Sequence, residues 1–381
     1  MGNKMRVLHV ISTLNIGSGI ANAVFNYYRN IDRHNIQFDF LVFSEPEKTF
    51  TKEILEMGGR VFQIDAPTLT TSFKYAKKVK KFFKSHRNEW DWVHIHEILV
   101  QKYIVKSVKK ISNAKIAIHS HNSRFVLPDH NASKLKNAIQ ITIKSVRNKY
   151  LLFGVNKNAD AKFACSKEAG VALFGKKGIQ KRFTLLPNAI DVGKFRFDQA
   201  ERNRYRKMLG LEDKKVIINI ARLCSQKNQV FLLDVFKRIQ ETSKDYALLL
   251  VGDGELREYL FERAKLLGLS DNVLFLGNRL DTPSLYSAGD IFVFPSIIEG
   301  LGISLIEAQA NGLNCIASTE VPKLAQVTPY VRFLPLSAGV DVWAREIENT
   351  SLTRTDGNDI VKQTAFNLEN NFRTLTDVYK G

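Results

Sequence analysis

Thirteen short apolar runs, rich in β-branched and aromatic residues, recur along this chain, with stretches of helical spacing between them. Seven lie in the first half, at Arg6–Ile11, Gln37–Phe43, Arg60–Ile64, Trp92–His96, Lys115–His119, Ala161–Cys165 and Phe183–Leu186. Six follow, at Lys215–Ile220, Ala247–Val251, Val273–Phe275, Ile291–Phe294, Asn314–Ala317 and Val331–Leu334. The runs are continuous rather than alternating, the habit of strands covered on both faces, and such strands belong to parallel sheets with crossover helices. The pattern is α/β, and it occurs twice. The turn-rich Pro187-Asn188-Ala189-Ile190-Asp191 separates the two occurrences, which gives domains 1–190 and 191–355.

With 381 residues, each half has room for its own core. A hydrophobic share of 44% against 25% charged residues excludes disordered and low-complexity classes. The net charge of +18 is unevenly placed: residues 1–190 hold 32 basic and 13 acidic residues (+19), and residues 191–381 hold 24 and 25 (−1). Two halves with different partners follow from that division. Cys165, Cys224 and Cys315 are odd in number and far apart, so reduced thiols in a cytoplasmic protein are expected. The N-terminal apolar stretch is too short for a signal-peptide core, and no run reaches the roughly 18 residues that span a bilayer.

The first strand ends in Asn15-Ile16-Gly17-Ser18-Gly19-Ile20-Ala21-Asn22 before a helix. Gly17 and Gly19 either let the backbone approach an anionic ligand or make a plain tight turn. A dinucleotide fingerprint needs a third glycine where Asn22 stands, so NAD is disfavoured. His94, His96, His119 and His121 gather at the tips of two consecutive strands, where open α/β sheets bind ligands. Residues two apart in a strand share a face, so His119 and His121 are candidates together, with structural hydrogen bonding as the alternative. No carboxylate spacing accompanies them and no Asp-x-Asp pair occurs, so no metal or other cofactor is expected.

In the second half, Arg222 ends a strand and Lys227 precedes a helix near Asn228, an apt receptor for a diphosphate. The segment from Pro295 to Glu307 places Glu299 in a loop, Gly300, Leu301 and Gly302 after it, and Glu307 about two turns into the next helix. Eight helical residues would set the two carboxylates about 80° apart, so with Glu299 in the loop they reach different parts of one extended ligand.

These residues in this order resemble the retaining nucleotide-sugar glycosyltransferases of the GT-B fold, glycosyltransferase family 4. The match runs from the glycine loop through Arg222 and Lys227 to Glu299 and Glu307, with Val251-Gly252-Asp253-Gly254 and the last helical segment. His119-Ser120-His121-Asn122 is similar to the subset that builds bacterial capsule, exopolysaccharide or lipopolysaccharide chains. The resemblance implies two Rossmann-like doubly wound domains facing a cleft, the first for the acceptor and the second for the nucleotide sugar. Residues 356–381, helical from about Asp359 to Tyr379, would cross back to the first domain. Arg222 and Lys227 would meet the diphosphate, Glu307 the ribose, Glu299 the sugar hydroxyls and the amides of Gly300–Gly302 phosphate or sugar. Asn278 would lie near the base, Gly17 and Gly19 opposite, and His119 would orient the sugar, with His121 as the alternative. Ala189 replaces the family's usual glycine. A UDP-sugar is favoured as donor, and a glycan or polyprenyl-pyrophosphate-linked saccharide as acceptor.

Two basic amphipathic stretches, Phe73–Lys84 with apolar residues at 73, 76, 79, 82 and 83, and Lys134–Lys149, suit an anionic membrane surface on the inner face of the cell membrane. Their alternative is packing on the sheet with solvated lysines. A GT-B epimerase or hydrolase is the competing enzyme reading. A polyanion-binding protein is the competing class, though no nucleic-acid motif supports it.

Overall fold

The computed structural model describes residues 4–15, 18–43, 50–66, 71–98, 100–121 and 155–381. Gly17 and the basic stretch Lys134–Lys149 lie outside them. The described chain forms two compact units, one of Met1–Asn188 with Asn371–Gly381 and one of Ala189–Asn370.

All thirteen apolar runs are strands. The first unit holds β1 (Met5–Val10), β2 (Ile36–Val42), β3 (Val61–Gln63), β4 (Trp92–Ile95), β5 (Lys115–Ser120), β6 (Ala161–Ala164) and β7 (Phe183–Leu185). They pair in parallel in the order β3-β2-β1-β4-β5-β6-β7. The second unit holds β8 (Lys215–Ile220), β9 (Tyr246–Val251), β10 (Val273–Gly277), β11 (Ile291–Phe294), β12 (Asn314–Ser318) and β13 (Val331–Leu334). Their order, β10-β9-β8-β11-β12-β13, is also wholly parallel. In both sheets the chain winds outward from β1 or β8 and then reverses to the other side, so each carries a switch point beside its first strand. Every residue of β2 and of β9 is buried, which accounts for the unbroken apolar runs.

The last helical segment is two helices rather than one, Gly357–Lys362 and Leu368–Lys380. Between them the backbone turns extended to bridge Ile190: the Ile190 amide donates to the Phe366 carbonyl and the Leu368 amide to the Ile190 carbonyl, each at 2.9 Å. The final helix packs on the first sheet. The Trp92 indole donates to the Tyr379 carbonyl at 3.0 Å, and Asn371 Nδ2 donates to the Pro187 carbonyl at 2.7 Å. Ala189 is buried and lies outside the left-handed region, so this turn has no need of the usual glycine.

The helix Ser72–Ser85 buries Tyr75, Val79 and Phe83. The expected stripe is thereby corrected: Phe73 is 73% exposed, with Lys77 Nζ 4.7 Å from its ring centre. Tyr75, Val79 and Phe83 stand on one i, i+4, i+8 row, which leaves Phe73 off the buried face, and Tyr75 meets Tyr103 of the neighbouring helix Gln101–Ile111 at 5.4 Å between rings. The three cysteines are free and buried.

Candidate functional site

At the carboxyl end of β8 the chain passes Arg222, makes a short 3-10 turn at Ser225–Lys227 and enters the helix Gln229–Thr242. Asn228, at φ +57°, is the left-handed hinge between turn and helix, and its Nδ2 donates to the Pro295 carbonyl at 3.2 Å. The same turn is laced to the loop after β11: the Ile297 amide donates to the Gln226 carbonyl (2.8 Å) and Gln226 Nε2 to the Ile298 carbonyl (2.7 Å). These contacts bring Lys227 Nζ to 2.5 Å from Glu299 Oε1, with the ammonium 5.2 Å from the Phe294 ring centre. Glu299 is buried, where an opposite charge at hydrogen-bond distance offsets its removal from water.

Arg222 differs. Its side chain is 65% exposed and pairs with Glu255, itself 55% exposed, at 3.0 Å. Its backbone is fixed from beneath, where the wholly buried Gln229 donates to the Arg222 carbonyl at 3.0 Å. Gly252 and Gly254 press the next strand tip onto this segment: a Cβ at Gly252 would meet the Ala221 carbonyl oxygen at 2.1 Å, and one at Gly254 the Leu223 oxygen at 2.3 Å. The glycines of Val251-Gly252-Asp253-Gly254 are thus required by close backbone stacking.

Gly302, at φ +91°, caps the helix Ile303–Ala310, so Glu307 falls in its second turn, sooner than the sequence suggested. Leu301 is buried beside it and Gly300 is half-buried. The Tyr286 hydroxyl, 2.9 Å from Glu307 Oε2 and 3.0 Å from the Ser304 carbonyl, stands behind the carboxylate. Removal from water pushes the Glu307 carboxyl up to about 7, while the Tyr286 hydrogen bond opposes that rise. Asn278 is exposed just past β10, and its neighbour Arg279 is held by Asp281 at 2.8 Å.

In the first unit Gly19 opens the helix Gly19–Asn30, capped by Ser18. A Cβ there would meet nothing within 4 Å, so packing does not demand glycine. His119 and His121 join a buried row of five imidazoles on one face of β1, β4 and β5. His9 Nδ1 is 3.0 Å from His96 Nε2, His96 Nδ1 is 2.8 Å from His121 Nε2, and His121 Nδ1 is 3.2 Å from Asn188 Oδ1. His94 Nδ1 meets the Tyr379 hydroxyl at 2.6 Å. Burial lowers all five, His9 to about 3 and His121 to about 4, so each ring is neutral at ordinary pH. His119, expected at a ligand-facing tip, is only 2% exposed and donates to the Leu186 carbonyl. Sequence reasoning missed His9, Tyr286, Gln226 and Gln229. Of these, His9 was open to discovery, because β1 sits beside β4 in a doubly wound sheet and His9 faces His94 in register.

Two doubly wound parallel sheets, the second with cations and carboxylates gathered at its strand ends, make up the GT-B architecture. Residues 201–335 match the family Glycosyl transferases group 1. Glycosyltransferase EpsF of Bacillus subtilis is 30% identical over 99% of this chain and 97% of its own length. The UDP-Gal:alpha-D-GlcNAc-diphosphoundecaprenol alpha-1,3-galactosyltransferase of Escherichia coli is 26% identical over 83% of this chain and 80% of its own. Among solved structures, HepE of Anabaena in complex with UDP and glucose superposes with a TM-score of 0.76 at 18% identity, covering 99% of each chain. The chain belongs to the group 1 glycosyltransferases, and it is a transferase.

Proposed function

We propose that the chain is a family 4 enzyme that moves a hexose or N-acetylhexosamine from a UDP-sugar to a lipid-linked saccharide in bacterial surface polysaccharide synthesis, with retention at the anomeric carbon. The observation that carries this reading is the Lys227–Glu299 pair beside Arg222, because it sets diphosphate-binding charge next to a carboxylate suited to sugar hydroxyls. Glycosyl transfer builds negative charge on the departing diphosphate, and fixed cations with a helix N-terminus offset it without a metal. Arg222 and Lys227 take that role, Glu307 holds the ribose hydroxyls, and the amides of Gly300–Gly302 approach phosphate or sugar. Glu299, tied to Lys227, accepts from the sugar hydroxyls. Attack then comes from the leaving-group side, with the departing phosphate oxygen taking the acceptor's proton; a covalent intermediate would need a carboxylate about 3 Å from the anomeric carbon.

The sheet-bound first unit takes the acceptor. The lysines exposed on Ser72–Ser85 and Gln101–Ile111 give it an anionic-membrane face. No helix among the described residues is long and apolar enough to cross a membrane. UDP-Gal and a diphosphoundecaprenol acceptor are named for the Escherichia coli relative, and UDP and glucose for the HepE complex, which supports the same chemical classes here.

The test is UDP release by the purified chain, in chelator, from a panel of UDP- and GDP-sugars with and without a polyprenyl-diphosphate saccharide, followed by NMR of the product anomer. Acceptor-dependent UDP release with the donor's configuration kept is expected. An inverted product, or release that ignores the acceptor, would overturn the reading.

A further inference from the structure

Three nitrogens of the five-imidazole row, His9 Nε2, His94 Nε2 and His119 Nε2, are buried without a hydrogen-bond partner among the described residues. We propose that His96, His119 and His121 bind a borderline divalent transition metal of the Zn²⁺ class, the ion taking the place of the proton shared by His96 Nδ1 and His121 Nε2. This site goes beyond the transfer reaction and lies wholly in the first unit.

One nitrogen from each of the three rings lies within 4.8 Å of the other two. Tetrahedral coordination at about 2.0–2.1 Å needs nitrogens about 3.4 Å apart, and the His96–His121 edge, at 2.8 Å, already lies close to that value. The outer contacts suit ligation. A metal-bound imidazole donates its far N–H to an acceptor that fixes its orientation. His121 Nδ1 faces Asn188 Oδ1, and His119 donates to the Leu186 carbonyl, which leaves its Nε2 lone pair bare. His96 has His9 behind it at 3.0 Å.

The protons balance. Asn188 Oδ1 only accepts, so His121 carries its proton on Nδ1, His96 on Nδ1 and His9 on Nδ1. On binding, His96 moves its proton to Nε2 and donates to His9 Nδ1, and His9 moves its own to the unpartnered Nε2. No proton leaves the cluster. Neutral imidazoles without carboxylates select a borderline cation such as Zn²⁺ or Co²⁺ over Mg²⁺ or Ca²⁺, and three ligands leave a coordination position for water or an anion. His96 and His121, 7% and 8% exposed, are the members nearest solvent.

The experiment uses tag-free protein stripped with chelator and titrated with Co²⁺ and then Zn²⁺. One Co²⁺ per chain, with the intense visible bands of a four-coordinate nitrogen site, displacement by Zn²⁺ and no response to Mg²⁺, is expected. His119→Ala weakens binding at least about 100-fold, whereas His86→Ala, outside the cluster, leaves it unchanged. Nitrogen hyperfine splitting from Cu²⁺ bound to the unaltered protein counts the imidazoles even where a variant fails to fold. No stoichiometric binding, binding that His119→Ala leaves intact, or fewer than three coupled nitrogens would overturn the proposal. UDP release in chelator reports separately on the transfer reading.

Discussion

Lys227 and Glu299, 72 residues apart in sequence, form an ion pair whose carboxylate is buried. The carboxylate is 6% exposed and lies 2.5 Å from this ammonium. Lys227→Ala removes the cation of a buried ion pair, which costs roughly 3 kcal/mol, while Glu299→Gln keeps the hydrogen bond and costs about 1 kcal/mol. Both lose turnover in the proposed reaction. Calorimetric unfolding alongside UDP release separates the effects, and a Lys227→Ala protein as stable as its parent would contradict the burial of the pair.

Arg222 reverses that balance between stability and function. Its pair with Glu255 is open to water on both sides, so Arg222→Ala changes stability by no more than about 0.5 kcal/mol. If its guanidinium offsets the departing diphosphate, the same change lowers kcat at least about 100-fold, in line with loss of a single charge-stabilising donor. Full turnover by Arg222→Ala would remove it from the leaving-group role.

Glu307 predicts a pH dependence whose sign follows from its environment. Its carboxyl, pushed up to about 7, stays protonated through the weakly acid range, and in the proposed donor complex it is the carboxylate that would accept from both ribose hydroxyls. KM for the donor should therefore fall as pH rises through about 7. Stability moves the other way: the unfolded chain ionises this group in the ordinary carboxylate range, so its contribution declines as pH rises toward 7. Tyr286→Phe deletes the hydrogen bond that holds the value down and moves the KM profile to higher pH, with little change in kcat above it. Steady-state kinetics across pH checks this, and an unmoved profile would exclude Tyr286 as the positioning residue.

Two glycines of similar appearance should behave oppositely. Gly252 is at φ +131° with the Ala221 carbonyl where a Cβ would stand, so Gly252→Ala costs roughly 3 kcal/mol or more and displaces the Arg222 segment. Gly19 opens a helix with no neighbour near its absent Cβ, so Gly19→Ala leaves the melting temperature unchanged or raised. Thermal unfolding of the two variants measures the contrast directly.

The sheets were legible because parallel strands covered on both faces cannot hide their apolar runs. Lys227 and Glu299 were each visible, but their pairing was not. It depends on β8 lying beside β11, a neighbour relation set by the order in which the sheet is wound. Tyr286 and Gln229 look like core and helix residues in sequence, since their roles come from one hydroxyl and one amide aimed across the fold. Phe73 was misplaced because an amphipathic helix with lysines throughout admits two apolar rows, and only packing against Tyr103 selects Tyr75. The break between the last helices arises from backbone pairing to Ile190, which leaves no mark on side-chain periodicity.

The basic excess of the first half has a testable location. Lys74, Lys77, Lys78, Lys80, Lys81 and Lys84 are all exposed on Ser72–Ser85, and Phe73 projects beside them as an apolar anchor. Each cation near an anionic leaflet adds about 1 kcal/mol, so replacing Lys77, Lys80, Lys81 and Lys84 with Gln should reduce partitioning into phosphatidylglycerol vesicles by about 100- to 1,000-fold. Phe73→Ser should weaken it further without touching the charge. Neither change reaches the buried face formed by Tyr75, Val79 and Phe83, so the unfolding temperature should hold. Vesicle sedimentation at low and high salt decides the matter: binding should fall steeply with salt and vanish on neutral phosphatidylcholine. Equal binding to both lipids, or full binding by the four-lysine variant, would show that these lysines are merely solvated.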